Sequence, residues 1–393
     1  MSQPIAIYAG YTVRYPLGGR LAAELQNIAG LQRLGYDVVF VEESGSSWEP
    51  CYDPVRNVMT RDAGHGLRVL QEALRPLGLA DRWCYVDSER QYHGLPAAEL
   101  RALCRQATLL FSLAGTTWLE EFAECRTRVF VDSDPGFTQF AMAAATKPLR
   151  SCSGYANPFD YQRHFTYGPR IGRPDCPIPT LGLTWEPTRP PVVLDQFPYR
   201  FTPAAKCFTT VMSWSSRKPI VYQGEEYGQK NVEFMRIINL PRRVGPVFEV
   251  AVAAAKAPLD QFRAAGWRLV DPLQVTATVG SYRDYIEQSR GEFSVAVNLC
   301  VKSRNGWFSE RTAKYLAAGK PAIVQDTGFP EFLPCGEGLF AFQTEDDAVA
   351  AVEKINADYE RHCRAARRIA EEYFDSDKVL GDLLRRCDLP VGK

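Results

Sequence analysis

Short apolar runs alternate with helical patterns along this chain, and that alternation is the strongest constraint on its fold. The apolar run Ile5–Ala9 ends at Gly10, leucine and isoleucine then recur at helical spacing over residues 21–34, and residues 38–41 form a second apolar run. A strand, a helix and a second strand in this order form a right-handed βαβ unit. The order recurs through both halves of the chain, so the sequence predicts an α/β fold with parallel, helix-covered sheets.

The length of the chain and a proline-rich segment predict two domains. A chain of 393 residues exceeds what one hydrophobic core usually supports. Residues 176–198 (CPIPTLGLTWEPTRPPVVLDQFP) resist both helix and sheet interior, so they suit a stiff connection. We expect a Rossmann-like domain over residues 1–194, a second over 195–375, and a C-terminal helix over 376–393 that could return to the first domain.

Composition argues against several classes of protein. Lys+Arg and Asp+Glu balance at 46 each, so nucleic acid is not indicated as a partner. The start of the chain lacks a signal-peptide pattern, and no run approaches the roughly 18 apolar residues of a membrane span. The eleven cysteines are scattered and lack metal-ligand spacing. We therefore expect a cytoplasmic protein with free thiols, no metal and no membrane span.

The first predicted βαβ unit does not carry a dinucleotide fingerprint. G-x-G-x-x-G is absent, because Gly10 is followed by a long loop before Gly18 and Gly19. Glu42 lies further from Gly10 than the roughly 20 residues expected of a ribose-binding acid. NAD(P) is therefore disfavoured. Gly18 and Gly19 either let the backbone approach another ligand or turn the chain.

Residues 305–332 (NGWFSERTAKYLAAGKPAIVQDTGFPEF) combine a loop, a helix, a buried strand and a second loop. Polar residues at the helix start can cap backbone N–H groups, and the positive helix end favours an anion. A strand followed by a polar loop is where open α/β sheets place ligands. The segment predicts a site for a phosphate-bearing ligand, although a capped helix beside a buried strand explains the caps equally well. Its candidate binding residues are Trp307, Ser309, Glu310, Arg311, Thr312, Asp326, Thr327 and Gly328.

Other segments offer a general base and further cations. Asp132 and Asp134 follow an apolar run, so they suit either a base or a turn before Pro135. His164 titrates in the useful range, but a lone histidine is more often a hydrogen-bonded core residue. Arg217 and Lys230 could reach a diphosphate or could be ordinary surface charges. We also expect a helix over residues 116–124.

The segment KYLAAGKPAIVQDTGFPE resembles the C-terminal domain motif of the "group 1" glycosyltransferases, which have the GT-B fold. The shared positions are Gly319, Pro321, Asp326, Gly328 and Glu331. The resemblance implies two Rossmann-like domains facing each other across a cleft, with a nucleotide sugar held by the second domain and an acceptor by the first. It also implies phosphate contacts from Ser309, Arg311 and Thr312, aided by Lys230 or Arg217, and no metal or cofactor beyond the donor itself.

The chain departs from that family at its paired glutamates, whose positions are taken by Gly306 and Lys314. Glu310, one helical turn before Lys314, could replace the acid that binds ribose. Three functions stay open: glycosyl transfer from a nucleotide sugar, UDP-type by preference, to an unidentified acceptor; epimerisation of a sugar nucleotide; and sugar-nucleotide binding without catalysis. A homodimer is compatible with each of them.

Overall fold

The structure is a computed structural model that describes residues 3–45, 47–144, 157–253 and 256–392. Its first half contains one large sheet, a small hairpin and four α-helices among the described residues. The strands are β1 Ile5–Ala9, β2 Asp37–Glu43, β3 Cys51–Asp53, β4 Val58–Thr60, β5 Trp83–Val86, β6 Tyr92–Gly94, β7 Leu109–Leu113, β8 Thr127–Asp132, β9 Arg163–Thr166 and β10 Trp185–Pro187. The helices are α1 Gly18–Arg33, α2 Gly64–Leu74, α3 Ala97–Gln106 and α4 Phe137–Ala144.

The large sheet has the strand order β10-β9-β8-β7-β1-β2-β5-β6, and every pairing in it is parallel except β5 with β6. β7 is buried along its whole length, and β1 is buried from its second residue onward. Continuous burial is expected of parallel strands covered on both faces. The apolar runs that predicted these strands therefore reflect their central position in the sheet.

The second half repeats the architecture with a six-stranded parallel sheet in the order β15-β14-β11-β16-β17-β18. Its strands, with an antiparallel hairpin of β12 and β13, are β11 Phe208–Ser213, β12 Ile220–Tyr222, β13 Glu225–Tyr227, β14 Phe248–Ala253, β15 Arg268–Val270, β16 Gly291–Ser294, β17 Ala322–Gln325 and β18 Leu339–Phe342. Its helices are α5 Lys230–Arg236, α6 Pro241–Val244, α7 Leu259–Ala265, α8 Pro272–Thr276, α9 Val279–Gln288, α10 Asn298–Ser303, α11 Glu310–Ala317, α12 Glu345–Ala357, α13 Tyr359–Tyr373 and α14 Ser376–Arg386.

The last helix crosses back to the first sheet. Leu380 and Leu384 of α14 belong to the core that covers one face of that sheet. A Cβ on Gly30 of α1 would lie 2.5 Å from Leu380 Cδ1, so glycine permits the close approach of the two helices. Where the chain crosses, the Val192 N–H donates to the Phe374 carbonyl at 2.7 Å, so the outgoing and returning segments lie side by side. The domain limits given above stay a prediction.

One local prediction is wrong. Residues 116–124 do not form an α-helix; only a 3-10 turn occurs, at Glu120–Glu124. The Thr117 hydroxyl donates to the Gly10 carbonyl at 2.8 Å, and Thr116 Oγ1 lies 3.4 Å from the same oxygen. These contacts hold the segment as a loop beside the end of β1.

Candidate active site between the two sheets

A cavity of about 240 Å³ lies between the two halves of the protein. Its wall contains residues that follow the ends of strands, such as Ser133 and Asp134 after β8, and residues from the first turns of helices. Open α/β sheets bind their ligands at this edge. The described wall is formed by Gly19, Arg20, Ser133, Asp134, Tyr167, Val211, Lys230, Tyr282, Trp307, Ser309, Glu310 and Arg311.

Two helices from opposite halves begin at this cavity. α1 starts at Gly18, and Leu17 before it offers no side-chain cap to the free N–H groups. α11 starts at Glu310, with the Ser309 hydroxyl accepting a hydrogen bond from the Arg311 N–H at 3.2 Å. Free N–H groups and the positive end of the helix dipole favour a negatively charged ligand at each start. The arrangement therefore suits an anion held between the two halves.

The two glycines at the start of α1 have different surroundings. A Cβ on Gly18 would lie 2.3 Å from the Thr278 carbonyl oxygen, so its backbone closely approaches the other half of the protein. Gly19 lines the cavity, and a Cβ there would make ordinary contact with the Tyr282 ring at 3.6 Å. Gly18 thus lets the halves approach each other, and Gly19 borders the space for a ligand.

Arg311 lies in the cavity wall, but its donors are already engaged. Its Nε donates to Glu292 at 2.6 Å, Nη1 to the Val211 carbonyl at 2.6 Å and Nη2 to Ser294 at 2.5 Å. Glu292 is fully buried, so the ion pair compensates two charges inside the protein. Thr312 is also fully buried, and the described wall does not include it. Arg311 therefore supplies a fixed, largely compensated charge at the cavity edge.

Lys230 is a cavity cation that retains free hydrogen-bonding capacity. It is the first residue of α5, and its ammonium makes no hydrogen bond or ion pair with the residues that the structure describes. Burial, together with the nearby Arg311 charge, lowers its pKa to about 8. An ammonium group in this position gains most when an anion enters. Lys230 is therefore the best-placed ligand for an oxyanion.

Arg20, which the sequence argument did not single out, also faces this space. Its guanidinium lies 2.9 Å from the Glu24 carboxylate, which in turn accepts from the Tyr11 N–H and the Thr12 hydroxyl, both at 2.8 Å. Arg20 lines this cavity and a neighbouring one. The available signal was its place directly after Gly18 and Gly19, in the first turn of a predicted helix.

Glu310 and Lys314 differ sharply in exposure. Glu310 lines the cavity, and its carboxylate makes no hydrogen bond or ion pair with the described residues. Lys314, one turn further, is 1% exposed, and its ammonium donates to the Glu310 carbonyl at 3.2 Å. Burial lowers the pKa of Lys314. Glu310 is thus the residue of the pair that can accept hydrogen bonds from a ligand.

A second cavity of about 290 Å³ adjoins the first and shares Arg20 and Asp134 with it. Asp132 Oδ2 accepts from Gln139 Nε2 at 2.6 Å, and burial raises the pKa of Asp132 to about 7. Asp134 is exposed at the junction of the two cavities. A carboxylate that titrates near neutrality suits general-base chemistry. The second wall is formed by Tyr11, Tyr15, Arg20, Ala114, Thr116, Asp132, Asp134, Phe137, Thr138, Ser216 and Arg217.

Arg217 extends from the second half into this second cavity. Its guanidinium carbon lies 4.6 Å from the centroid of the Phe137 ring, within the range of a cation–π contact. It lines the second cavity and is absent from the described wall of the first. Arg217 and Lys230, which the sequence paired as diphosphate ligands, therefore face different compartments.

Gly18, Thr312 and four further predicted site residues lie outside both described walls, and the four are His164, Asp326, Thr327 and Gly328. His164 Nε2 lies 2.7 Å from the Pro158 carbonyl oxygen, its ring packs edge-on against Trp185, and burial lowers its pKa. Asp326 accepts from the Gly328 N–H at 2.6 Å. Thr327 donates to the Trp307 carbonyl at 2.6 Å. Their contacts favour the packing interpretation for His164 and a loop-supporting role for the other three.

Contacts across the cleft fix the loop before α11. The Trp307 indole N–H donates to the Ser133 carbonyl at 2.9 Å, and the Arg170 N–H donates to the Asn305 carbonyl at 3.1 Å. Glu331 forms ion pairs with Arg170 and with Arg173, the latter at 2.7 Å. These contacts hold the two halves together around the cavity.

Neither a metal-binding cluster nor a membrane-spanning helix is found within the described ranges. No group of three or more His, Cys, Asp or Glu side chains there could hold a metal ion. No helix in those ranges has the length and apolarity needed to cross a membrane.

Comparison with solved structures shows the fold. An α-glucosyltransferase in complex with UDP superposes with a TM-score of 0.58 at 10% identity, covering 98% of this chain and all of that one. Anabaena Alr3699/HepE in complex with UDP and glucose gives 0.55 at 11% identity over 98% and 100% of the two chains. AviGT4, a glycosyltransferase involved in avilamycin A biosynthesis, gives 0.51 at 11% identity over 98% and 96%. The chain therefore has the GT-B fold, with two Rossmann-like domains.

Comparison of sequences gives less information about this chain than comparison of structures. No protein-family model matches the chain. Phosphoribosylamine–glycine ligase from Neisseria meningitidis serogroup A is 26% identical over 153 residues, which is 38% of this chain and 34% of that protein. The serogroup B enzyme is 24% identical over 149 residues. The chain thus spans about a third of the length of the curated relatives it matches, and this similarity does not establish a family.

Proposed function

We propose that this protein is a glycosyltransferase that moves a sugar from a nucleoside-diphosphate sugar, UDP-type by preference, to a hydroxyl group of an acceptor. The observation that carries the proposal is the convergence of two helix starts from opposite halves on one cavity that also contains the uncompensated Lys230. Two solved proteins with this fold, the α-glucosyltransferase and AviGT4, are glycosyltransferases, and the α-glucosyltransferase and HepE were solved with UDP.

The donor would lie in the first cavity. Its diphosphate would bind Lys230, Arg20 and the free N–H groups at the starts of α1 and α11. The Glu310 carboxylate would accept hydrogen bonds from the ribose hydroxyls, in place of the ribose-binding acid of the family that the chain resembles. Cations and helix dipoles can stabilise a leaving diphosphate without a metal ion.

The acceptor would lie in the second cavity, next to Asp132 and Asp134. In the reaction the bond between the anomeric carbon and the diphosphate oxygen breaks, and its electron pair leaves with the nucleoside diphosphate. The acceptor oxygen bonds to the anomeric carbon. Its proton passes to a cavity carboxylate, Asp132 or Asp134, or to the departing phosphate if configuration is retained.

The two-compartment arrangement favours transfer over the alternatives. An epimerase needs no acceptor and a binding protein needs no base, whereas here a second cavity with two carboxylates adjoins the donor space. A buried carboxylate with a pKa of about 7 is a feature typical of catalytic sites.

The proposal is tested by incubating the protein with UDP-, GDP-, ADP- and dTDP-sugars, with and without an acceptor panel of sugars, phenols and DNA. DNA belongs in the panel because one solved relative in fold was crystallised with UDP and a 13-mer DNA containing a HMU base. We expect acceptor-dependent release of the nucleoside diphosphate and a glycosylated product. Conversion of the donor sugar without acceptor would indicate an epimerase, and tight binding with no turnover on any acceptor would indicate a binding protein.

A further inference from the structure

A third cavity, of about 250 Å³, lies behind the candidate active site where the two halves meet. Its wall contains Pro187 and Pro190 from the connecting segment, Phe308 and Phe329 from the second half, and Phe374 at the end of α13. Tyr167 belongs to the walls of both this cavity and the donor cavity. The space is separate from the proposed acceptor cavity, whose described wall shares none of these residues.

The wall of this cavity is mostly apolar, and three of its aromatic side chains pack closely against one another. The Phe308 ring stacks on Phe374 with centroids 5.1 Å apart and meets Phe329 edge-on at 5.2 Å. All three side chains are at most 5% exposed. A volume near the lower end of the roughly 300–1,000 Å³ typical of small-molecule sites suits a ligand of one or two rings. The packing therefore provides a preformed apolar site for such a ligand.

One cation beside the cavity, Arg189, has no ion-pair partner among the residues that the structure describes. Arg386 is compensated, because its guanidinium lies 2.7 Å from Glu186 and 3.2 Å from Asp382. Arg189 lies over the Tyr373 ring at 5.4 Å, and it makes no hydrogen bond or ion pair with the residues that the structure describes. A guanidinium with all its donors unengaged beside an apolar wall is complementary to a carboxylate or phosphate on an apolar body.

We propose that this cavity, defined by Phe308, Phe329, Phe374 and Arg189, binds a small amphipathic anion with an aromatic body and one acidic group. The acidic group pairs with Arg189 at the mouth, and the ring packs against the phenylalanines. The site is distinct from the donor and acceptor cavities and does not depend on the proposed transferase activity.

The test measures binding of 2-naphthoate by calorimetry to the full chain and to Arg189→Gln. Arg189 is exposed, so this substitution leaves the fold intact. We expect 2-naphthoate to bind the wild type and to bind Arg189→Gln about tenfold more weakly or worse, because a charge-assisted pair is lost. The neutral 2-naphthamide should bind the wild type about tenfold more weakly than 2-naphthoate.

Two control variants test whether 2-naphthoate binds in this cavity rather than elsewhere. Arg385→Gln removes an exposed arginine of α14 that is not in the cavity wall, and it should bind 2-naphthoate as the wild type does. Lys230→Met should do the same, because Lys230 faces the donor cavity. The proposal is overturned if 2-naphthoate does not bind the wild type, if Arg189→Gln or the neutral amide binds equally well, or if Lys230→Met weakens binding instead.

Discussion

The indole N–H of Trp307 donates to the backbone carbonyl of Ser133 across a distance of 2.9 Å. This hydrogen bond links the loop before α11 to the residue that precedes Asp134, and so connects the donor side of the cleft to the candidate base. Trp307 is held on its other side by the Thr327 hydroxyl, which donates to its carbonyl at 2.6 Å. The Trp307 side chain therefore helps to fix the placement of α11 relative to Asp134.

Trp307→Phe keeps an aromatic, though smaller, side chain and removes that hydrogen bond. We expect kcat to fall by about tenfold, because small misplacement of reacting groups is costly, with a loss of about 0.5–1.5 kcal/mol in the free energy of unfolding. Steady-state kinetics and urea denaturation measure the two effects. Trp267→Phe is the matched control, because it removes an indole hydrogen bond to Ile238 of 2.7 Å within the second half. Equal kinetic losses in the two variants would contradict the positioning role of Trp307.

Lys230 predicts how donor affinity depends on pH. Its pKa of about 8 in the free protein means that the ammonium loses its charge as pH rises through that value. The affinity for UDP should therefore be greatest below pH 8 and fall above it. Lys230→Met should bind UDP more weakly and show no such fall. Titrations between pH 6.5 and 9.5 test this, and an unchanged decline in the variant would assign it to another group.

The same pKa predicts a stability effect. The lysine pKa in the folded protein lies below its unfolded value of 10.5, so the unfolded state binds more protons between pH 8 and 10.5 and stability rises with pH over that window. Lys230→Met should raise the free energy of unfolding at pH 7 by about 1–2 kcal/mol, less than the full 1.36 kcal/mol per pKa unit because the side chain is partly exposed. The gain should vanish above pH 10.5. Urea denaturation at pH 7 and 10.5 measures it, and a variant less stable than the wild type at pH 7 would contradict the burial argument.

The pKa of Asp132 predicts how kcat/KM changes with pH on the acidic side of the pH–rate profile. Burial raises its pKa to about 7, so a base at this position becomes active as pH rises through 7. If Asp132 takes the acceptor proton, kcat/KM should rise between pH 6 and 8, and Asp132→Asn should lose that rise together with most of the activity. Asp134→Asn is the companion variant. If Asp134→Asn loses the activity while Asp132→Asn keeps it, Asp134 is the base.

Substitution of Arg311 is expected to change the stability of the protein as well as ligand binding. Because it pairs with the buried Glu292, Arg311→Ala should destabilise the protein by about 3–5 kcal/mol, since it leaves an uncompensated buried charge. The sequence predicted a phosphate contact for Arg311, and the ion pair with Glu292 adds a structural role. Glu292→Gln in the same chain should recover part of the stability. Thermal denaturation of the single and double variants measures the coupling, and additive losses would contradict it.

The sequence predicted the fold better than the site, because the strands depend on local sequence patterns and the site depends on contacts between distant segments. Strands buried on both faces have continuous apolar runs, so β1 and β7 could be predicted from the local sequence alone. The start of α11 could be predicted from Ser309, because N-capping also depends only on residues close in sequence. The role of Arg20 was missed because it depends on α1 and α11 meeting across the cleft. The role of His164 depends on its contact with Pro158, and the loop at residues 116–124 depends on contacts with Gly10. No local sequence pattern contains these tertiary contacts.

The most direct measurement of the central claim is calorimetric titration of UDP into the wild type, Lys230→Met and the control Lys354→Met, whose lysine is exposed on α12. We predict that the wild type and Lys354→Met bind UDP alike at pH 7. Lys230→Met should bind about 10- to 100-fold more weakly, because a charge-assisted contact with phosphate is worth roughly 1.5–3 kcal/mol. Absence of UDP, GDP, ADP and dTDP binding to the wild type, or equal UDP affinity in all three proteins, would contradict the claim that this cavity holds the diphosphate of a nucleotide sugar.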